Sequence, residues 1–179
     1  MAKPHEEQHL HFLCQAIDEA RKCQPTPTAF CVGCVITVKW PLTSTDTILL
    51  SSGYSRELIG NTHAEANALS KARNLTKNQL QSLFPAASPA ELSIDDILSH
   101  SDIYTTLEPC SVRTSGLAPC AKAIIAAKLS RCFIGVGEPD DFVKCEGAQM
   151  LKDAGIEVVW LKGHENECLT VARTGHEQH

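Results

Sequence analysis

The segment "DIYTTLEPCSVRTSGLAPCAKAIIAAKL", residues 102–129, decides the fold because it joins a strand pattern to a helix pattern through two Pro-Cys pairs. The β-branched residues of 102–108 predict a strand, and "CAKAIIAAKL" predicts a helix with Pro119 in its first turn. Proline fixes φ and removes a backbone donor, so each pair restricts where its thiol points. Cys110 then follows a strand end and Cys120 begins a helix, which is where ligands gather in α/β folds.

The segments on either side alternate between helix and strand patterns. Apolar residues at helical spacing predict helices, and short β-branched runs predict strands. The predicted helices cover 8–23, 62–75 with Thr62 as N-cap, and 146–155 closed by Gly155, and the predicted strands cover 31–38, 46–54, 132–137 and 156–161. The resulting order, α-β-β-α-β-α-β-α-β, predicts an α/β fold in which helices pack on both faces of a five-stranded sheet.

Composition and charge narrow the class of protein. The chain has 179 residues, of which 43% are hydrophobic, and this suits one domain with a real core. A net charge of -5 argues against a nucleic-acid backbone as the main ligand. The first residues, "MAKPHEEQHLHF", have no apolar core typical of a secretory signal, and "AIIAA" is far too short to span a bilayer. We therefore expect a cytoplasmic protein with no membrane segment.

Cysteine usage favours a metal over disulfides. The chain has nine cysteines, an odd number, and no visible export signal. A reducing compartment is the natural interpretation, and disulfide frameworks are rare there. Cys110 and Cys120 are therefore better candidates for metal ligands than for a disulfide.

Residues 74–100 form a connection that is unusually long for a compact domain. Within it, "SPAELSIDDIL" carries a cap, a first-turn proline and apolar spacing, so a short helix is expected. We expect this insertion to form a helical excursion on the domain surface, near a subunit contact or the rim of a pocket.

Two other metal-like patterns have ordinary explanations. "HEEQH" at 5–9 matches H-E-x-x-H, but it lies in a polar segment with no obvious third ligand, and a solvated helix start explains it. "CVGC" at 31–34 lies in a predicted strand, where residues three apart point to opposite faces. Cys31 and Cys34 are therefore expected to be buried structural thiols.

His63, Glu65, Cys110 and Cys120 together match the composition of a catalytic zinc site. One imidazole and two thiolates leave the fourth zinc position for water, and a nearby carboxylate that is not a ligand can transfer protons. The alternatives are a closed structural zinc site, or a core histidine with unrelated thiols. A structural site would want a fourth ligand, and no cysteine or histidine adjoins this set in the sequence.

The zinc-dependent nucleobase deaminases carry the signature H-x-E…P-C-x-x-C, and this chain departs from it by placing nine residues between the cysteines. The longer segment "TLEPCSVRTSGLAPC" resembles the deaminases of riboflavin biosynthesis, in which the second cysteine follows a longer loop. "TAFCVGCVI", "GYSRELIGNTHAEANAL" and "GEPDDFVKCEGAQMLKDAGIEVV" are similar to three further stretches of that family. The resemblance covers about residues 25–160 and is strongest to the fungal type.

The resemblance implies a three-layer α/β/α cytidine deaminase-like fold with a central five-stranded mixed sheet. It implies one zinc-dependent deaminase domain over 1–179, with the insertion at about 74–100, acting as a homodimer. The implied reaction is hydrolytic deamination of 2,5-diamino-6-ribitylamino-4(3H)-pyrimidinone 5′-phosphate, with Zn²⁺ on His63, Cys110 and Cys120 and Glu65 as proton carrier. The "TPTAF" and "CSVR" segments depart from bacterial members, and we expect no fused reductase domain.

The resemblance also suggests substrate contacts. It places the pyrimidine ring beside Thr28 and Ala29, with Asn61 near a hydroxyl or a ring edge. The candidate cations for the phosphate are Arg56, Arg113 and Lys144, although solvated surface charges explain them equally well. Deamination of another base, such as guanine, cytosine, cytidine or a nucleic-acid base, remains an alternative, as does a non-catalytic zinc-binding module. Glu65 argues against the module, because mere binding needs no such carboxylate.

Overall fold

The computed structural model describes residues 4–113, 116–139 and 145–176, which contain a five-stranded sheet covered by helices. The strands are β1 (Gly33–Val38), β2 (Ile48–Tyr54), β3 (Ser101–Leu107), β4 (Arg131–Val136) and β5 (Glu157–Trp160). The helices are α1 (Pro4–Ala20), α2 (Ala64–Arg73), α3 (Lys77–Leu83), α4 (Ile94–Ser99), α5 (Cys120–Ala126), α6 (Gly147–Asp153) and α7 (Glu165–Ala172), with a 3₁₀ turn at Pro89–Glu91.

The sheet is mixed, as the resemblance implies. Its strand order is β2-β1-β3-β4-β5. β1 pairs antiparallel with both β2 and β3, whereas β3, β4 and β5 run parallel to one another. β3 is therefore the central strand, and it ends at Leu107, three residues before Cys110.

Two apolar layers enclose the sheet, so the three-layer α/β/α prediction is confirmed. On one face, α1 and α7 pack against β1, β3 and β4 through a cluster that contains Leu13, Ile17, Val35, Tyr104, Phe133 and Cys168. The other face is covered by α2, α5 and α6 through a larger cluster that contains Ile36, Leu69, Ile103, Ile124, Ile134 and Leu151. Alternate residues of each central strand point to opposite faces, which gives every strand both an α1-side and an α2-side set of core residues.

Several predicted element ends differ from the structure. The predicted N-cap Thr62 lies one residue too early, because α2 begins after His63, which occupies the N-cap position. The Thr62 hydroxyl is instead used in the preceding turn, where it donates to the carbonyl of Leu58 and accepts from the Asn67 side-chain amide. Pro119 occupies the N-cap position of α5 rather than its first turn.

Helix α7 is absent from the sequence prediction. Its eight residues, "ENECLTVA", include four apolar side chains, of which Cys168 and Ala172 are buried. So short a helix gives a weak periodic signal. Packing of α7 against the sheet, rather than its own pattern, explains why it forms.

The insertion at 74–100 is helical, as predicted, and many of its residues are exposed, whereas its location near a subunit contact or a pocket rim stays a prediction. It contains α3, the 3₁₀ turn and α4, and its apolar side chains belong to the larger core cluster: Leu80, Phe84, Ala87, Leu92, Ile97 and Leu98. It also connects the last residue of α2 to the first residue of β3, which is the end of the sheet opposite to Cys110. The segment therefore extends the core at the far end of the sheet from His63 and Cys110.

Within the described ranges, no helix combines the length and apolar character required to cross a membrane.

Candidate metal centre and active site

Three ligand atoms converge at the carboxyl end of β3. The Nδ1 atom of His63 lies 3.5 Å from the Sγ atom of Cys110 and 3.5 Å from the Sγ atom of Cys120. All three ligand atoms lie within 4.8 Å of one another. They come from three elements: His63 caps α2, Cys110 follows β3, and Cys120 begins α5.

The backbone around the cysteines is fixed by hydrogen bonds and close packing. The backbone N–H of Cys120 donates to the Sγ of Cys110 at 3.3 Å, and the N–H of Ala121 donates to the Cys110 carbonyl at 3.2 Å. Behind this loop, Gly147 begins α6 so close to Pro109 that a Cβ on Gly147 would overlap the Pro109 carbonyl oxygen. The start of α6 therefore supports the segment that carries Cys110.

The electrostatics favour a thiolate beside the imidazole. Hydrogen bonding to Cys120 and, against the effect of burial, to His63 lowers the pKa of Cys110 to about 4. The same pairing and burial raise the pKa of Cys120 well above its ordinary value. Burial alone would lower the pKa of His63, but the hydrogen bond to Cys110 and the charge of Glu65 raise it. A bound divalent cation requires both sulfurs as thiolates, so it would oppose the rise in the pKa of Cys120.

These residues fit a zinc ion. Zn–N bonds of about 2.0 Å and Zn–S bonds of about 2.3 Å at tetrahedral angles separate nitrogen and sulfur ligands by roughly 3.5 Å. The two observed N···S distances agree with this spacing. Among the residues that the structure describes, no fourth histidine, cysteine or acidic side chain joins the group. The donor set is therefore the three-ligand kind that leaves a zinc position for water.

Glu65 lies beside the cluster without belonging to it. It occupies the first turn of α2 and is only 3% exposed. Its Oε1 atom accepts a hydrogen bond of 3.3 Å from the Thr105 hydroxyl of β3. Burial, followed by the charge of Cys110, raises the pKa of Glu65 above its ordinary value. A buried carboxyl group with a raised pKa can both accept and donate protons.

Arg113 links the loop between the cysteines to the turn before α2. Its Nη2 atom donates to the Asn61 carbonyl at 2.7 Å, so these two predicted substrate residues lie together. The positive charge of Arg113 also acts to lower the pKa of His63, which places it within electrostatic reach of the ligands. The Arg113 Nε atom is buried and has no hydrogen-bond partner among the described residues. An unpaired buried donor beside a ligand cluster is an energetic cost that an anion would relieve.

Arg56 lies elsewhere in the fold. Its guanidinium donates to the carbonyls of Gln24 and Phe30 and, at 3.2 Å, to the Sγ atom of Cys31. It therefore clamps the segment between α1 and β1, from a left-handed backbone conformation with φ 62°. These contacts give Arg56 a structural role, and its contact with a phosphate stays a prediction.

The remaining predicted substrate residues stay untested. Thr28 is exposed and its hydroxyl contacts that of Thr26, while the Ala29 carbonyl accepts a hydrogen bond from His176. Both lie in the segment before β1 that Arg56 clamps. Lys144 lies outside the described residues.

One carboxyl group near the predicted ligands, that of Glu138, was not among the site residues predicted from the sequence. Glu138 follows β4, and burial raises its pKa to about 7, although a hydrogen bond with Cys145 acts in the opposite direction. The charges of Cys110 and Glu65 contribute to that rise, so Glu138 shares the electrostatic surroundings of the cluster. Its position at the carboxyl end of a central strand was the available signal.

The two other metal-like patterns are not metal clusters within the described part of the chain. Cys31 and Cys34 are both buried, as predicted, and burial raises the pKa of Cys34 well above its ordinary value. In "HEEQH", the described His9 belongs to α1, where its ring stacks on Phe133 and its Nδ1 atom lies 2.8 Å from the Tyr104 hydroxyl. His9 is therefore packed between α1 and the sheet rather than solvated.

The fold and this cluster define the class of zinc-dependent base deaminases. The family model of the cytidine and deoxycytidylate deaminase zinc-binding region matches residues 6–136, and the chain belongs to this family. Within the class, the chain is similar to deaminases of riboflavin biosynthesis, as the sequence resemblance predicted.

Two curated relatives illustrate this similarity. The diaminohydroxyphosphoribosylamino-pyrimidine deaminase of Schizosaccharomyces pombe is 40% identical over 168 residues, which cover 94% of this chain and 36% of the relative. The riboflavin biosynthesis protein RibD of Chlamydia pneumoniae is 31% identical over 153 residues, which cover 85% of this chain and 32% of the relative. The chain thus spans about a third of the length of these relatives.

Two solved structures of deaminases are also similar to this chain. The Aspergillus oryzae Rib2 deaminase in complex with DARIPP, a C-terminal deletion mutant, is 32% identical with a TM-score of 0.70, covering 94% of this chain and 92% of that chain. The dCMP deaminase of the cyanophage S-TIM5 is 21% identical with a TM-score of 0.53, covering 89% of this chain and 99% of that one, and it supports the fold alone.

Proposed function

We propose that this chain is a zinc-dependent hydrolase that deaminates 2,5-diamino-6-ribitylamino-4(3H)-pyrimidinone 5′-phosphate. The products are 5-amino-6-ribitylamino-2,4-pyrimidinedione 5′-phosphate and ammonia. The observation that carries the proposal is the cluster of His63, Cys110 and Cys120 with the buried carboxyl group of Glu65 beside it. Similarity to the Aspergillus oryzae deaminase with bound DARIPP supports the choice of substrate.

The roles of the residues follow from their positions. His63, Cys110 and Cys120 would hold Zn²⁺, which when bound supplies the positive charge that makes a water molecule acidic enough to lose a proton near neutral pH. Glu65 accepts a proton from the attacking water and delivers it to a ring nitrogen of the substrate. Water oxygen bonds to the carbon that bears the amino group. Glu65 then carries the remaining hydroxyl proton to the amine, the C–N bond breaks, and ammonia leaves.

A purely structural zinc site accounts less well for these residues. Structural sites have four protein ligands, whereas the described residues supply three here. A structural site also gains nothing from a buried carboxyl group, and burying one is costly unless function or pairing compensates. Glu65 is therefore the residue that favours catalysis over mere metal binding.

Recognition of the phosphate is assigned to Arg113 in this proposal. Its buried Nε atom lacks a partner among the described residues, and its Nη2 atom is already fixed by Asn61. A prepositioned guanidinium with a spare donor is suited to bind a phosphate oxygen. Thr28, Ala29, Asn61 and Lys144 remain proposed substrate contacts on the strength of the resemblance.

The substitution Arg113→Ala tests this assignment. Charge-assisted hydrogen bonds contribute about 1.5–3 kcal/mol, so we expect kcat/KM for the phosphorylated substrate to fall about 10- to 100-fold. Turnover of the dephosphorylated compound should change little. Arg73→Ala is the matched control, because Arg73 is exposed at the far end of α2. Equal losses of kcat/KM for the two substrates would show that Arg113 does not bind the phosphate.

Ammonia release from a panel of substrates tests the function as a whole. We expect efficient turnover of the phosphorylated ribitylamino-pyrimidinone without NADPH, much slower turnover of its dephosphorylated form, and essentially none of cytidine or guanine. Turnover of cytidine or guanine that is faster than turnover of the ribitylamino-pyrimidinone would rule out the riboflavin-pathway substrate. The protein would then still be a deaminase, but of another base.

The domain organisation, oligomeric state, compartment and partners of the protein are also proposed. We infer that residues 1–179 act as one deaminase domain, as a homodimer, in the cytoplasm, without nucleic-acid or membrane partners. The resemblance supports the dimer, and the nine free thiols support a reducing compartment. Light scattering on the purified chain gives the mass that tests the dimer.

A further inference from the structure

Thr105 is a polar residue in an apolar layer of the sheet. It is fully buried in the middle of β3. Its neighbours across the sheet are Cys34 of β1 and Ile134 of β4, both of which belong to the α2-side core cluster. A hydroxyl in such surroundings costs free energy unless it is hydrogen-bonded, so its bonding partners indicate what it does.

The Thr105 hydroxyl has two partners and one proton. Its Oγ1 atom lies 2.9 Å from the Leu107 carbonyl oxygen and 3.3 Å from the Oε1 atom of Glu65. A hydroxyl donates one hydrogen bond and can accept two. Its one proton therefore serves two acceptors, the Leu107 carbonyl at the shorter distance and the Glu65 carboxylate at the longer one.

We propose that Thr105 is a positioning residue that holds the Glu65 carboxyl group against the end of β3 while Glu65 takes and returns protons. This inference rests on the proposed function of Glu65. Both partners of Thr105 matter to it, because Leu107 lies at the end of the strand that leads to Cys110. The Thr105 hydroxyl thus connects Glu65 of α2 to β3. The loop that follows β3 carries the predicted metal ligand Cys110.

The need for such a tether follows from the reaction. Proton transfer requires the carboxyl oxygen to stay within hydrogen-bond distance of its proton donors and acceptors. A glutamate side chain has three rotatable bonds. The residues beside Thr105 on the neighbouring strands are Cys34 and Ile134, which present a thiol and a hydrocarbon side chain. Within the described residues, the Cys120 thiol also contacts the carboxyl group, and zinc would bind that sulfur. Thr105 therefore stays available to Glu65 when the metal is bound, together with the backbone N–H of Glu65 itself.

The substitution Thr105→Val tests the inference, because valine keeps the shape and β-branching of threonine but removes the hydroxyl. We expect kcat for the phosphorylated substrate to fall about 10-fold, with KM and zinc content within about twofold of wild type. Thr105→Ser should restore kcat to within about threefold of wild type. Should the valine variant fail to fold, Thr105→Ala replaces it with the same expected result.

Thr106→Val is the matched control. Thr106 is also buried in β3, but its hydroxyl accepts from the backbone N–H of Gly33 rather than contacting Glu65. This control should melt at a lower temperature and keep its kcat.

The outcomes separate this inference from the proposed function. A valine variant with kcat within twofold of wild type, beside an inactive Glu65→Gln variant, would overturn the role of Thr105 and leave the function intact. Loss of zinc in the valine variant, or failure of serine to rescue, would also overturn it, because both indicate structural support. Absence of ammonia release by the wild-type chain would instead overturn the proposed function.

Discussion

At the scale of single residues, the two predicted thiol ligands differ from the other seven cysteines in converging on one imidazole, that of His63. Cys110 receives a backbone N–H and faces the His63 imidazole, whereas Cys34 is buried under α2 where burial raises its pKa well above the ordinary value. A thiol must ionise to bind a metal ion, and the hydrogen bonds at Cys110 favour that ionisation.

We predict that Cys110→Ala and Cys120→Ala each lose bound zinc, whereas Cys31→Ala and Cys34→Ala keep about one zinc per chain. Removing one of three protein ligands leaves two, which is too few for a stable zinc site. Elemental analysis of the purified variants measures this directly. Loss of zinc from the Cys31 or Cys34 variant, with retention in the other two, would reassign the metal site.

The cluster was predictable at this scale because its signal lies in residue types and local spacing. His63 and Glu65 are two residues apart, and both cysteines follow a proline. Thr105 was not predicted, and the reason is physical. A threonine in a strand has the pattern of an ordinary strand former, and its contact with Glu65 depends on how α2 packs on the sheet, which no local pattern encodes.

At the scale of elements, the site depends on close packing of helix ends against the sheet. Gly53 of β2 lies so close to α2 that a Cβ there would overlap the Ala64 carbonyl oxygen. Gly147 does the same at the start of α6, against Pro109. These approaches bring the residues that follow, Glu65 and Cys110, to the same point.

The substitution Gly147→Ala should therefore weaken zinc binding and lower the melting temperature. The added methyl group overlaps a backbone oxygen one residue before Cys110, so the loop must shift. Gly137→Ala is the matched control, because among the described residues a Cβ at Gly137 comes within 4 Å of the Glu108 carboxylate alone, at 3.9 Å. Zinc titration with a competing chelator and thermal melting measure both effects, and equal behaviour of the two variants would contradict the account.

The insertion belongs to the core at this scale. Phe84 is among the largest fully buried side chains of the described chain. Phe84→Ala should lower the free energy of unfolding by about 3–5 kcal/mol, since it removes a large side chain and leaves a cavity. Leu42→Ala, at a residue that is 62% exposed, should change it by less than about 0.5 kcal/mol. Denaturant unfolding gives both values, and a change below about 1 kcal/mol for Phe84→Ala would show that the insertion is peripheral.

Elements with strong periodic patterns were predicted well, and those held by packing were not. All five strands and the helices α1, α2, α5 and α6 were expected near their observed positions. Helix α7 and the burial of the insertion were not, because both depend on contacts with distant parts of the chain. Cys31 and Val32, placed in the first strand by their residue types, lie before β1, in the segment that Arg56 clamps.

At the scale of the whole molecule, the apolar core and the candidate active site lie in different parts of the fold. One face of the sheet is closed by α1 and α7, and the insertion extends the core at the end opposite to Cys110. The carboxyl end of β3 is left for the ligand cluster, with Arg113 and Glu138 beside it. The mixed sheet order was predictable as a fold class through the resemblance, but the pattern of elements alone did not specify strand order or direction.

The central claim is that Glu65 carries protons at a metal site it does not bind, and Glu65→Gln tests it most directly. We predict that the variant keeps about one zinc per chain, because Glu65 is outside the ligand cluster. Its kcat for ammonia release from the phosphorylated substrate should fall at least about 10²–10⁴-fold, since an amide cannot accept the proton. Glu157→Gln, at an exposed carboxylate on β5, is the control and should match wild type. A Glu65→Gln variant that retains more than about a tenth of the wild-type kcat at equal zinc content would contradict the account.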